Sequence, residues 1–491
     1  MNSTESSALT ILILAAVVLV AVVSNRLSER IRVPAPFLFL VGAAAVSDIV
    51  PGVGGKVPIG LVEQVVTVAL IVVLFDGGLG IGWRRFRAAA VPVVTLGVAG
   101  TILTTGAVTL LAHYACDLSW RTALLLGAAL APTDPAVVFS VLGRREITGR
   151  TGTILEGESG ANDPVGIALM VALLGAGGSA GTQVGHILTT FAEQMVVGVA
   201  VGAAGGFALV WFIRKVPLPG AGLHPVRALA GAGVIYGAAT VAHGSGFLAV
   251  LVAGVLIGDE SVPYRLEIRQ VCSALASLAE IVVFVALGLT IGLRALGTDN
   301  AWLIGLVLAV LLAFVVRPLL LGPLLLPVRM RRGERAFVLW AGLKGAVPIL
   351  LGAFAITAGV PGSRRIYEII FVVVAFSVLV QGGTVGLAAR RFGVPMETTT
   401  PTPWTFGVRL PHEPLGTRHY TIRPGDDADG TTVGDIVSNS DLWISTVLRN
   451  GHLLSITSDT VLHAGDELLL IGDGTTTGEA GEAENPGGSE G

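Results

Sequence analysis

Up to about residue 391 the chain alternates long apolar runs with short loops that carry arginine, and then its pattern changes. A run of about 20 apolar residues is long enough to cross a bilayer as a helix. The pattern predicts about thirteen spans, near 7–25, 35–51, 60–81, 89–113, 120–142, 153–176, 186–213, 226–243, 245–258, 275–293, 301–328, 335–359 and 366–389. The eighth and ninth are short and divided by His243-Gly-Ser-Gly246, so twelve or fourteen are alternative counts. Residues 392–404 read as a Thr/Pro-rich linker. Beyond it, short alternating runs predict strands at Arg418–Ile422, Leu442–Leu448, His452–Ile456 and Glu467–Ile471, with a short helix at Thr432–Ile436. Asn450-Gly451 is a two-residue hairpin signal. Residues 473–491, rich in Gly, Glu and Thr, are expected to be disordered. The predicted fold is an all-α polytopic membrane domain over 1–391, followed by a small cytoplasmic α+β domain over 405–472.

Composition agrees with the pattern. Of 491 residues 53% are hydrophobic and 13% charged, with mean hydropathy +0.78, whereas soluble domains carry about 25% charged residues. The first apolar run lacks a basic leader and a small-residue cleavage site, so it reads as a transmembrane helix. Arginines cluster in alternate loops, at 26–32, 84–87, 144–150, 214–227, 265–269, 329–335 and 390–391, with Arg364-Arg365 the exception. By the positive-inside rule those loops are cytoplasmic, the N-terminus is outside and the C-terminal part inside the cell membrane. Cys116 and Cys272 then lie on opposite sides, where no disulfide can join them. The basic residues form loop clusters rather than one face, which argues against nucleic acid as a partner.

Against this apolar background two polar islands stand out between Ala131 and Pro164. One is Ala-Pro-Thr-Asp-Pro, carrying Thr133 and Asp134. The other is Glu-Gly-Glu-Ser-Gly-Ala-Asn-Asp-Pro, carrying Glu156, Glu158, Ser159, Asn162 and Asp163. A carboxylate at membrane depth costs roughly 2.5 kcal/mol or more, so it needs a partner, water or a cargo ion. Prolines 132 and 135 should break the fifth helix at Asp134 and free carbonyls that can ligate a cation; a solvated cap at the membrane face is the alternative. Glu158, Ser159, Asn162 and Asp163 share one helical stripe by i,i+3 and i,i+4 spacing. We expect that stripe and the break to hold a monovalent cation on hard oxygens, with Asp163 and Asp134 as its ionised ligands and Asp163 exchanging it for a proton. Glu156, nearer the cytoplasmic end, reads as solvated.

Arg317 in the eleventh span needs an anion, for which Glu158 and Glu280 compete. Lys344 lies in a Gly/Pro-interrupted twelfth span that mirrors the fifth across the midpoint of the chain. Paired interrupted segments point to an inverted repeat with the site between its halves, where Lys344 would neutralise helix ends unless it snorkels to an interface. Asp76, in Leu74-Phe-Asp-Gly-Gly-Leu79, is either a structural cap or a residue of the ion pathway. Glu63 and Glu193 read as peripheral, and Gln381-Gly-Gly-Thr384 as an interhelical hydrogen-bonding group. No Walker A run, dinucleotide fingerprint or complete nucleophile elbow is present in the sequence, so no cofactor is expected and an ion gradient must supply the energy. Asp134 and Asp163 could mimic an intramembrane aspartyl protease pair, but Arg317, Lys344 and the repeat would then have no purpose. A gated cation channel would not need proton counter-transport, and no filter-like loop is present in the sequence.

These residues resemble the monovalent cation:proton antiporter-1 family, specifically its NhaP-type Na⁺ or K⁺/H⁺ antiporters. The resemblance rests on Leu74-Phe-Asp-Gly-Gly-Leu79, Thr133-Asp134-Pro135, Glu158-Ser159 with Asn162-Asp163-Pro164, Arg317, Gly342-Leu-Lys-Gly-Ala-Val347 and Gln381-Gly-Gly-Thr384. It implies an NhaA/NhaP-like fold with two broken crossing helices, and a homodimer that works by alternating access. It also implies Asp163 as the ion- and proton-binding carboxylate, surrounded by Thr133, Asp134, Ser159 and Glu158, with Arg317 paired to Glu158. Asn162 in place of a second Asp resembles the electroneutral branch. Lys344 stands where the family usually has Arg, and Asp76 where Glu is common, which leaves the partner of Lys344 open. Leu448-Arg-Asn-Gly-His452 and His463–Gly472 resemble the C-terminal lobe of RCK (TrkA-C) domains without the nucleotide-binding lobe. That resemblance tilts the cargo towards K⁺ and implies a small regulatory ligand, a cyclic dinucleotide being one candidate.

Overall fold

Helices of the computed structural model begin and end where prolines, glycines and short polar stretches interrupt the apolar runs. The structure describes residues 19, 33–49, 58–142, 145–147, 149–176, 180–297, 300–398, 417–439, 442–449 and 452–472. The chain divides into two units, Met1–Thr402 and Pro403–Gly491.

In chain order the first unit has α1 (Ala35–Ile49), α2 (Ile59–Val94), α3 (Thr101–Cys116), α4 (Trp120–Leu130), α5 (Ala136–Leu142), β1 (Arg145–Ile147), α6 (Arg150–Gly175) and α7 (Ala180–Lys215). It continues with α8 (Leu223–Val241), α9 (Gly246–Gly258), α10 (Arg265–Leu289), α11 (Ala301–Leu311), α12 (Arg317–Leu324), α13 (Arg332–Trp340), α14 (Ala346–Thr357), α15 (Ser363–Phe376), α16 (Gly383–Arg391) and β2 (Met396–Thr398). Every expected span from the second onward meets one of these helices or a pair of half-helices; the first lies outside the described residues apart from residue 19.

The expected third and fourth spans are separated at a single residue, Gly82 (φ 67°, ψ 161°). The left-handed φ suits glycine, and the Asp259 carboxylate occupies the space a side chain would need there. It accepts from the Arg84 N–H at 2.5 Å. Three junctions, Thr95–Gly100, Leu312–Val316 and Ser377–Gly382, are π-helical turns that carry one helix into the next. α10 begins at Arg265, earlier than the expected 275, because Ile268 and Cys272 are already buried at helical spacing.

Among the described residues, five continuous helical stretches are long and apolar enough to cross a membrane alone: Ile59–Cys116, Val184–Lys215, Arg265–Leu289, Ala301–Leu324 and Ser363–Arg391. α4, α5, α13 and α14 are too short to do so, and span only as interrupted pairs. α6 tolerates Pro164 in its interior without ending.

Within the segment read as a linker, residues 396–398 form a strand. β2 pairs antiparallel with β1, Ile147 opposite Met396 and Arg145 opposite Thr398. Both strands are too short to carry a visible alternation, so the sequence presents them as loops.

The second unit holds β3 (Thr417–Thr421), α17 (Val433–Asn439), β4 (Leu442–Arg449), β5 (His452–Leu453) and β6 (Glu467–Gly472). They form an antiparallel four-stranded sheet in the order β3-β6-β4-β5. Ile422, Val433, Ile444, Val447, Leu462 and Leu468 form its core. β4 and β5 pair across the expected Asn-Gly turn, Leu448 opposite Leu453 and Arg449 opposite His452; the turn itself lies outside the described residues. β5 stops at Leu453 rather than running to Ile456. The chain thus combines a helical membrane domain with a small α+β one.

Candidate functional site

The two interrupted spans meet at their breaks. Residues 131–135 separate α4 from α5, and residues 341–345 separate α13 from α14. The Asp134 N–H donates to the Leu343 carbonyl at 2.8 Å, tying one unwound strand to the other. Unwinding leaves the last carbonyls of α4 without helical donors, and Pro132 and Pro135 have no N–H to offer. Lys344 supplies the missing donors: its Nζ lies 2.9 Å from the Ala131 carbonyl and 3.1 Å from that of Pro132. The residue is only 6% exposed, so it does not snorkel. Its backbone N–H donates to Ser377 Oγ at 2.9 Å, and that hydroxyl donates to Gln381 Oε1 at 2.6 Å.

Opposite charges complete the crossing. The Lys344 ammonium stands at the C-terminal, partially negative end of α4. The Asp134 carboxylate lies against Gly345, the N-cap of α14, where a Cβ would overlap it. A carboxylate is favoured at that partially positive end. Asp134 is half-buried and Thr133 buried.

α6 brings the second polar island to the same place. Asn162 Oδ1 accepts from the Thr133 N–H at 3.2 Å, and its Nδ2 donates to Thr133 Oγ1 at 2.7 Å. The amide thereby holds the break of α4–α5 against α6 and brings no titratable group. Close approach is possible because Gly166 faces the Pro132 ring with no room for a Cβ. Asp163, 8% exposed, is buried beside it, and Asp163 Oδ1 has no hydrogen-bond partner. Ser159, one helical turn before Asp163, is also buried. Asn162 thus sets α6, which carries Asp163 and Ser159, against the break that carries Thr133 and Asp134.

Glu158 belongs to a neighbouring arrangement. Arg317 Nη2 lies 2.9 Å from Glu158 Oε1 and 3.0 Å from Oε2, so Glu158, not Glu280, takes the guanidinium. The same side chain donates from Nε to the Leu339 carbonyl at 2.9 Å and from Nη2 to that of Val338 at 3.1 Å. Arg317 thus does at the end of α13 what Lys344 does at the end of α4. Arg317, Gly342, Lys344, Ser377 and Gln381 border a void of about 10 Å³, on the scale of a single water.

Asp76 is half-buried on α2 and, among the described residues, hydrogen-bonds to none of these groups. Gln381 bridges helices through Ser377 and the Trp340 carbonyl at 3.1 Å. Sequence reasoning missed Ser377, which nothing in the sequence singled out. It read Gly342 and Gly345 as part of the interruption, but not as the space left for the Arg317 and Asp134 side chains.

Among the described residues of the second unit, the buried polar group is Asp466. Arg449 donates to it from Nε and Nη2, both at 2.8 Å, and the His463 N–H from 2.9 Å. The Arg449 hydrogen bonds hold the Asp466 carboxyl below its usual range.

In sequence and fold the chain is similar to known proteins. Residues 13–391 match the family described as "Sodium/hydrogen exchanger, transmembrane". The chain belongs to that family. It is 32% identical over 472 residues to the K⁺/H⁺ antiporter NhaP of Alkalimonas amylolytica, covering 95% of this chain and 82% of the relative. It is 32% identical over 460 residues to the K⁺/H⁺ antiporter NhaP2 of Shewanella oneidensis, covering 92% and 79% respectively. The Na⁺/H⁺ antiporter ApNhaP of Aphanothece halophytica is 27% identical over 344 residues, 68% of this chain and 65% of that one. In fold the chain resembles the sodium proton antiporter MjNhaP1 of Methanocaldococcus jannaschii, with TM-score 0.66 and 21% identity, over 78% of this chain and 99% of that one. As a member of this family the chain is a multi-pass membrane protein and a cation/proton antiporter, not an enzyme.

Proposed function

We propose that the chain exchanges one monovalent cation for one proton, with K⁺ favoured over Na⁺, at a site built on Asp163. The observation that carries this reading is the buried Asp163 Oδ1, unpartnered and set beside two crossed helix breaks. Asp163 takes either a proton or a cation, and Asp134, Ser159 and Thr133 complete the oxygen set. With Lys344 offsetting one aspartate and Asn162 adding no charge, a single positive charge neutralises the site, which supports one-for-one, electroneutral exchange. Arg317 and Glu158 hold the end of α13, and Asp76 stands on the pathway. Relatives named K⁺/H⁺ antiporters that match more than nine-tenths of the chain support the choice of K⁺. The protein works as a homodimer in the cell membrane by alternating access, with the N-terminus outside. Its linker (392–404), RCK-C-like domain (405–472) and tail (473–491) lie in the cytoplasm, and the domain regulates transport by binding a small ligand.

The test is exchange in proteoliposomes under an imposed pH gradient, with Na⁺, K⁺, Li⁺ or choline added, with and without valinomycin. K⁺ should dissipate the gradient at lower concentration than Na⁺, unaffected by membrane potential, and Asp163→Asn should abolish the response. A response that tracks the potential would rule out one-for-one stoichiometry. An active Asp163→Asn variant would remove Asp163 from its role.

A further inference from the structure

Glu280 is a half-buried acid that the crossing does not use. On α10, Glu280, Val283, Phe284 and Leu287 follow helical spacing, and the last three are buried. Glu280 therefore sits on the inward face of its helix. That helix packs on α1, α2 and α8 and also on α14, the second half-helix of one interrupted pair. Glu280 Oε1 is buried and has no hydrogen-bond partner. The cation that would be its natural partner, Arg317, is taken by Glu158 and by the end of α13. Asp134 lies against Gly345, the N-cap of α14, so α10 packs on a half-helix of the crossing itself. Ionisable groups at membrane depth are costly when unpaired and are associated with water or with a moving ion.

We propose that Glu280 is a carboxylate of the ion path, a transient ligand through which the cation reaches and leaves the Asp134–Asp163 site. This rests on the antiport reading above and adds a residue to it from a helix outside both interrupted pairs. Asp163 must gain and lose charge in every cycle. Glu280 needs only to hold the cation briefly between bulk and site, so its removal acts on apparent affinity before it acts on turnover.

The experiment is K⁺-driven proton exchange by the full chain in proteoliposomes, comparing wild type, Glu280→Gln, Glu280→Asp and Glu280→Leu, with Asp163→Asn alongside. Glu280→Gln and Glu280→Leu should raise apparent KM for K⁺ by about tenfold, with the maximal rate within about twofold of wild type. Glu280→Asp, which keeps the charge, should recover most of the affinity. K⁺-dependent thermal stabilisation of the purified variants gives a second reading, and its half-maximal K⁺ concentration should move in the same order. Wild-type KM in Glu280→Gln and Glu280→Leu, with Asp163→Asn inactive, would overturn the role of Glu280 and leave the antiport reading standing. A fall in maximal rate and melting temperature at unchanged KM would make Glu280 a structural residue and also overturn it. An active Asp163→Asn would instead bring down the antiport reading.

Discussion

At the scale of residues, the site depends on where side chains are missing as much as on where they are present. Gly345 lies against the Asp134 side chain and Gly342 against the Arg317 guanidinium, each with no space for a Cβ. Replacing glycine by alanine ordinarily stabilises a chain by reducing the freedom of its unfolded state, by about 0.4–1 kcal/mol. At Gly345 the added methyl group would push out a carboxylate held at the N-cap of α14. Gly345→Ala is therefore expected to cut exchange at least tenfold, since a displacement of about 1 Å can cost two orders of magnitude at a positioned site. Gly386→Ala, where a Cβ meets open space, should leave both flux and melting temperature near wild type. Proteoliposome flux and thermal unfolding of the two variants would check this; equal flux would mean that the crossing yields to a methyl group.

At the scale of elements, each interrupted pair is held by one cation at the C-terminal end of its first half. Arg317 holds α13 and the Glu158 carboxylate together, both side chains nearly inaccessible. Removing one partner of such a pair leaves a buried charge and costs about 3–5 kcal/mol, whereas removing both costs much less. Glu158→Gln and Arg317→Gln should each lower the unfolding midpoint more than the double variant does, which a double-mutant cycle on the purified protein would measure. Additive single effects would mean that the two groups do not act as a pair. Much of this architecture was legible. Prolines 132 and 135 mark one break, Gly342, Gly345 and Pro348 mark the other, and their mirrored places imply the crossing. The partner of Arg317 was legible only as a choice between Glu158 and Glu280, because sequence says that a membrane cation needs an anion but not which helix delivers it. The π-helical turns at 95–100, 312–316 and 377–382 were not legible, since no residue in them demands that geometry. Ser377 was hidden for the same reason: its role comes from tertiary placement beside Lys344. The β1–β2 ribbon escaped because its strands are shorter than two periods of alternation.

At the scale of the whole molecule, the membrane unit is accompanied by a second one that the family match at 13–391 does not reach. An alignment covering 95% of the chain must nevertheless include most of residues 392–491, so relatives such as the Alkalimonas antiporter carry a counterpart. The small core of the second unit leaves its stability dependent on polar pairs, and Asp466 with Arg449 is its most buried one. The Asp466 carboxyl is held below its usual range chiefly by the Arg449 hydrogen bonds. A carboxyl depressed in the folded state stabilises above its unfolded pKa of about 3.9, and that contribution is lost as pH falls through the folded value. The second unit should therefore be at full strength near neutrality and weaken below about pH 4. In Asp466→Asn the contribution is absent at every pH, so stability at neutral pH should fall by about 2–3 kcal/mol, with less further loss on acidification. Hydrogen exchange on the full chain, followed in peptides from β4 and β6 between pH 3 and 7 with intrinsic exchange rates corrected, would measure both effects. Equal protection of wild type and Asp466→Asn at neutral pH would show that the pair does not hold the unit together. If protection is lost as expected while K⁺ exchange at neutral pH is unchanged, the second unit folds for some purpose other than setting the basal rate. A rate that rises or falls together with protection would make this unit the regulator of the site on Asp163.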